Sequence, residues 1–189
     1  MKGILFKQNM VQAIMHNSKT VTRRLQGLNK VNSYPEEWAV AGTDGLGTFG
    51  FKNLYTSMRL TLRAPLRPGQ VVYVKEGWKD RLLTSAEVPE HVEIKVWNSP
   101  MFMPAWAARI FLEIVSVRSE RLQTITEDDA IAEGIHAGAS WITSPIEQYA
   151  ALWDSINTRA GTRWADNPFV FRYEFRRTEA SERDRERYI

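Results

Sequence analysis

The 189-residue sequence contains no cysteine, which excludes a disulfide framework, a thiol nucleophile, zinc knuckles and iron–sulfur clusters together. Histidine is scarce. His16, His91 and His136 stand at no metal-ligand spacing, so no metal is expected, and no cofactor either. Long apolar runs are also missing: the longest, Met101 to Ala108, is broken by Pro104 and falls far short of the roughly 18 residues that span a bilayer. Met1-Lys2-Gly3-Ile4 opens no secretory leader. The expectation is a protein that does not enter a membrane and that resides in a reducing cytoplasm.

What is present is enough to build a core. Hydrophobic residues make up 43% and charged residues 25%, with seven Trp, eight Phe and six Tyr, a composition that folds. The length fits one domain, drawn over residues 1–177 with an irregular insertion at about 26–57 and a charged tail at 178–189. Charge is unevenly placed. Lys2, Lys7, Lys19, Arg23, Arg24 and Lys30 fall before Glu36 with no carboxylate among them, so the first 35 residues carry +6 and the remainder −3. A basic segment in an otherwise slightly acidic chain favours an anionic ligand there.

Lys2 to Phe6 reads as a first strand, and Met10, Val11, Ile14 and Met15 take helical spacing over about Gln8 to His16. Asn17 then suits a left-handed helix end, which leaves Ser18 to Arg24 in an exposed turn. Gly42, Gly45, Gly47 and Gly50 mark residues 26–57 as a long loop, and no Gly-Lys-Ser/Thr follows to make it a phosphate loop. Strands are expected at 58–63, 71–75, 92–97, 109–117 and 169–175, because apolar residues alternate or run briefly between turn signals. Several short strands with few helices suggest a barrel. Thr126 with Asp129 caps a short helix through Glu133, and Ser144-Pro145 with Glu147 opens another, whose apolar face includes Tyr149 and Trp153.

The chemistry concentrates in Lys19-Thr20-Val21-Thr22-Arg23-Arg24. If this segment is extended, residues 20, 22 and 24 share a face. A hydroxyl beside two cations can bind phosphate or, next to a neutral lysine, act as a nucleophile. Lys19, Arg23 and Arg24 are accordingly candidate phosphate contacts. Glu76 and Trp78 follow a strand, where a carboxylate and an aromatic can meet a base; the alternative is a salt bridge to Arg81 and a core tryptophan. In the loop 97–106, Phe102 and Trp106 can stack on a nucleobase beside Met101 and Met103, or pack over the barrel mouth.

The segment Asn17 to Arg24, with Glu127-Asp128-Asp129-Ala130-Ile131-Ala132-Glu133-Gly134 downstream, resembles the ASCH domain of the PUA-like superfamily, in a form common in phages and prophages. The likeness extends through Val74 to Trp78, Ser99 to Pro104, Leu152 to Asn157 and Asn167 to Phe171, and covers most of residues 2–176. Asn17 departs from the glycine usual at that position. The resemblance implies an α+β fold, a small PUA-like β-barrel with flanking helices, and a cleft for a nucleoside, nucleotide or RNA in a bacterial or phage-infected cell. In small bacterial ASCH amidohydrolases acting on N4-acetylcytidine, a Lys, a Thr and a Glu form the catalytic group with an Arg nearby. Carried over, these are Lys19 as general base, Thr22 as nucleophile, Glu133 tuning the lysine, and Arg24 stabilising an oxyanion. Arg23, Glu76, Trp78 and Met103 complete the ligand-binding set. Two other functions stay open: a binder of RNA or modified bases without catalysis, and a ribonuclease. The oligomeric state is left open.

Overall fold

Five consecutive residues, Phe169 to Tyr173, are buried, which requires a strand covered on both faces. They open β8 (Phe169–Thr178), the strand around which the chain is arranged. The computed structural model describes residues 1–78, 98–135 and 143–179. β8 pairs antiparallel with β7 (Phe111–Arg121) on one side and β2 (Val21–Arg24) on the other. β6 (Val71–Lys75) joins β7 antiparallel, and β1 (Lys2–Leu5) joins β6 in parallel, giving the order β1-β6-β7-β8-β2. Of the strands expected from sequence, the one at 92–97 lies outside the described residues.

Phe169, Phe171 and Phe175 of β8 join the larger core with Ile4, Val11, Ile14, Val72 and Leu112. The intervening Val170 faces a second cluster of Leu122, Ile125, Ala130, Tyr149 and Trp153. That cluster lies under α3 (Glu127–Ala132) and α4 (Pro145–Ile156), whose starts follow the expected caps. Thr126 accepts the Asp129 N–H, and Ser144 and Glu147 close a capping box with Pro145 in the first turn.

Residues 26–57 correct the expectation of an irregular insertion. After one turn of helix, α2 (Asn29–Asn32), they form β3 (Trp38–Thr43) and β4 (Thr48–Asn53), which with β5 (Arg59–Arg63) make a separate antiparallel sheet. Gly45 and Gly47 take positive φ in the β3–β4 turn, so they end strands without abolishing them. Phe49 and Phe51 alternate along β4 and meet Phe171 and Phe169 at centroid distances of 5.4 and 5.3 Å. The small sheet is thereby part of the core.

The expected barrel is the second correction. The fold is mixed α+β, but among the described residues the two sheets do not close into a barrel. β1 and β2 end the larger sheet on opposite edges. Between them in sequence runs α1 (Gln8–Met15), which buries Val11, Ala13 and Ile14. Among the described residues no backbone ladder joins these edges; a side chain reaches across instead, Arg24 donating to the Leu5 carbonyl at 2.8 Å.

The third correction concerns Ser18 to Arg24. Asn17 does adopt the left-handed conformation, with φ 59°. Its neighbours Ser18 and Lys19 both donate their N–H to the Ala13 carbonyl, at 2.9 and 3.2 Å. The chain then enters β2 at once, and Lys19, Val21, Thr22 and Arg23 are buried. The exposed turn is confined to residues 16–18.

Candidate ligand-binding and catalytic site

Two short backbone contacts bring the first helix end to the end of α3. Lys19 and Glu133 form an isolated antiparallel bridge, and Thr20 donates its N–H to the Ala132 carbonyl at 2.8 Å. Residues 114 apart in sequence thus face each other. The Lys19 Nζ donates to Glu133 Oε2 at 2.7 Å, to the Glu133 carbonyl at 2.6 Å and to the Val21 carbonyl at 2.8 Å. An ammonium has three protons, and here each has an acceptor.

Gly134 makes this approach possible. Its φ is +95°, and a Cβ there would lie 3.2 Å from the Ala13 Cβ and 3.4 Å from the Lys19 Cβ. Gly134→Ala is expected to cost roughly 1–2 kcal/mol from the left-handed backbone alone, with crowding against Ala13 added. Urea denaturation checks it through a lowered midpoint at unchanged slope.

Glu133 is 4% exposed and serves three partners besides its own helix end. Its other oxygen, Oε1, accepts from Arg23 at 3.3 Å and from the Tyr149 hydroxyl at 3.4 Å. Arg23 is itself bound by two further carboxylates. It reaches Glu120 Oε1 at 2.9 Å through Nε and Asp129 Oδ2 at 2.6 Å. Arg172, beside Arg23 in the β2–β8 register, donates to the other Asp129 oxygen at 2.8 Å. Three cations, Lys19, Arg23 and Arg172, therefore meet three carboxylates, Glu120, Asp129 and Glu133, with a fourth cation, Arg24, beside them.

Arg24 is the cation with no carboxylate partner among the described residues. Its guanidinium lies 5.0 Å from the Phe6 ring centroid, and its Nε is buried without a hydrogen bond. The Lys19 ammonium lies 5.7 Å from the same ring.

These placements set the titration. Burial lowers the Lys19 pKa below its ordinary 10.5; Glu133 opposes this, and Arg24 and Arg23 reinforce it. Burial also lowers Arg24 against the pull of Glu133. For Arg23 burial is outweighed by Glu133, Glu120 and Asp129, and its pKa is raised. The Tyr149 phenol is pushed well up by burial and then by Glu133, so it stays a neutral donor.

A cavity of about 630 Å³ opens over this group, and Lys19, Thr22, Arg23, Arg24, Glu133 and Glu76 all border it. Phe6, Tyr149, Leu152 and Trp153 supply apolar wall. The two aromatics of α4 are both core and lining, a double role that helical spacing alone does not reveal. Thr22 is 4% exposed and borders the cavity beside Lys19. Thr20 is exposed and does not border the cavity.

Of the remaining predicted ligand contacts, Glu76 is held by Arg109 in a two-point pair, at 2.7 and 2.9 Å. Arg81, the partner considered from sequence, lies outside the described residues. Trp78 and Met103 border a side recess that shares Gln8, Glu76 and Gly77 with the cavity. Met103 is buried at 2% exposure; its sulfur accepts the Glu76 N–H at 3.3 Å and its carbonyl accepts the Tyr73 hydroxyl at 3.0 Å. Trp78 packs edge-on against Trp106 with centroids 5.6 Å apart. Sequence reasoning missed Asp129, Glu120 and Arg172. A charged residue at position 172, between two buried aromatics in a strand with both faces covered, was the available signal.

No family model matches the sequence, and no curated protein matches it. Among solved structures, the ASCH domain from Lactobacillus crispatus JV V101 is similar at 12% identity, over 93% of this chain and 78% of that one, with a TM-score of 0.45. Protein EF3133 from Enterococcus faecalis V583, a DUF984 protein, is similar at 10% identity, over 96% and 83%, with a TM-score of 0.46. The first carries the name of the family that the sequence motifs resemble.

Proposed function

We propose that the cavity binds a nucleoside, a nucleotide or an exposed base of RNA. One observation carries this reading: a cavity of about 630 Å³ that combines aromatic and aliphatic wall with a cation, Arg24, that forms no ion pair with a carboxylate among the described residues. Volumes of 300 to about 1,000 Å³ with apolar walls and a few placed polar groups are typical of small-ligand sites. The flat face of a base suits the wall formed by Phe6, Tyr149 and Trp153, and a phosphate suits Arg24. The resemblance to ASCH domains points to the same class of ligand.

Calorimetry with cytidine, cytidine monophosphate and N4-acetylcytidine, run beside an assay for released cytidine, tests the proposal. Arg24→Gln is expected to weaken the monophosphate about tenfold or more, the size of a lost charge-assisted hydrogen bond, and to change cytidine little. Raising the salt is expected to weaken the monophosphate and leave cytidine nearly unaffected. Absence of binding by nucleosides, nucleotides and short RNA alike would overturn the proposal.

A second reading, hydrolysis of an acylated base, is favoured by Thr22. This residue borders the cavity together with Lys19. Lys19 would then be the base, and burial favours its neutral form. The same lysine gives three protons to three acceptors at rest, so acting as a base requires it first to lose one proton and break one of those bonds.

A further inference from the structure

The cavity is not closed on the side of the β1–β2 seam. Leu5 and Arg24 border it and also border a groove lined by Lys2, Gly3, Ile4, Gln26 and Tyr173. That groove shares Lys2 and Pro65 with a further hollow bordered by Arg63, Arg67 and Gln70. The three depressions therefore adjoin in sequence, from the cavity past Arg24 to Arg67. The lining of the two outer depressions carries four cations, Lys2, Arg24, Arg63 and Arg67, and among the described residues no carboxylate. The chain as a whole has 22 acidic residues against 25 Lys and Arg, so a lining of one sign is a local property.

A second observation points the same way. Tyr173 is 1% exposed and borders the middle groove, yet its hydroxyl has no hydrogen-bond partner of good geometry. The Leu66 backbone lies near it without forming such a bond. The buried Arg24 Nε is equally unpartnered. Buried polar atoms without partners are rare and call for an explanation, an absent ligand being one. Here Arg24 stands at the junction of cavity and groove, and Tyr173 in the groove beside it.

We infer that the seam is a track for a single-stranded nucleic acid, whose base enters the cavity while Arg24, Lys2, Arg63 and Arg67 hold the phosphates that follow. This rests on the proposed binding of a base in the cavity. A free nucleoside or mononucleotide has no atoms to place along the track. A positively charged groove beside a wall on which a base can stack is the arrangement that binds single strands without reading their sequence.

The test uses the full chain and an unstructured oligoribonucleotide of about eight residues, a length within the range of single-strand sites, with cytidine monophosphate as the short ligand. The variant is Lys2→Gln/Arg63→Gln/Arg67→Gln; all three positions are exposed, and none borders the cavity. The oligonucleotide is expected to bind wild type at least tenfold more tightly than the monophosphate. The triple variant is expected to lose that advantage and to bind the monophosphate as before. Its slope of log affinity against log salt is expected to fall by about 2, at about 0.7 per lost phosphate contact. The charge-keeping variant Lys2→Arg/Arg63→Lys/Arg67→Lys is expected to retain the binding.

Wild-type affinity and slope in the triple variant would overturn the track, even where monophosphate binding upholds the cavity. Oligonucleotide binding that depends on the three cations but ignores Arg24→Gln would overturn the cavity as the seat of the base, and this proposal with it. A polyglutamate peptide that competes as well as the oligonucleotide would overturn nucleic acid as the ligand. The deoxy strand separates two supporting outcomes: equal affinity assigns the track to phosphate in either nucleic acid, and weaker affinity assigns it to RNA.

Discussion

Glu133→Ala is expected to remove about 3–5 kcal/mol of stability, the cost of breaking a buried ion pair by deleting one partner. The carboxylate accepts from Lys19, Arg23 and Tyr149 at 4% exposure, so its loss leaves Lys19 and Arg23 with one compensating charge fewer. A drop in the urea midpoint measures it. The pH dependence separates an orphaned charge from a mere cavity. Lys19 already has a lowered pKa in the folded chain, so between that value and its ordinary 10.5 the unfolded chain binds more protons and stability rises with pH. Without Glu133 the pKa falls further, because the chief influence raising it is gone. The deficit of the variant is therefore expected to narrow as pH climbs from neutral, since Lys19 can shed its proton while Arg23 cannot. A deficit constant with pH would mean that the lost packing, and not the lysine, sets the cost.

Much of what surrounds this pair was legible because it is local. The Thr126 and Ser144 caps, the left-handed Asn17 and the strand Val71–Lys75 each depend on residues a few positions apart, and spacing rules act over that range. Lys19 and Glu133 are a different case. No spacing joins residues 114 apart, and only the family resemblance placed them together. The ion network of Arg23, Asp129, Glu120 and Arg172 was missed for the same reason, since its members come from β2, α3, β7 and β8. Glycine misled the reading of residues 26–57. Gly45 and Gly47 mark the turn between strands, but their density hid the alternation of Phe49 and Phe51 that fixes β4 to the core. The count of short strands suggested a barrel, and nothing local shows that the β1–β2 seam is crossed by Arg24 rather than by a backbone ladder. That departure matters for function, because the open seam borders both the cavity and the groove.

Thr22→Ala is expected to abolish release of cytidine from N4-acetylcytidine while leaving the affinity for cytidine within a few-fold. Two hydroxyls lie between Lys19 and Arg24. Only Thr22 borders the cavity, and Thr20 is exposed, so Thr20→Ala is expected to turn over normally and Thr22→Ser to keep part of the rate. In the reaction the Thr22 Oγ attacks the acetyl carbonyl, its proton passes to Lys19, and the bond from carbonyl carbon to N4 breaks as N4 takes a proton. Water then releases acetate from the threonine ester. Arg23 and Arg24 keep their protons at any ordinary pH and cannot replace Lys19 as base. Wild-type turnover is therefore expected to rise with pH as Lys19 deprotonates, from a pKa that burial has lowered. In Glu133→Gln the carboxylate no longer favours the ammonium, and the rise is expected at lower pH than in wild type. Turnover that survives in a folded Thr22→Ala protein would remove the nucleophile. Identical pH profiles in wild type and Glu133→Gln would remove Lys19 as the base and leave the cavity as a binding site alone.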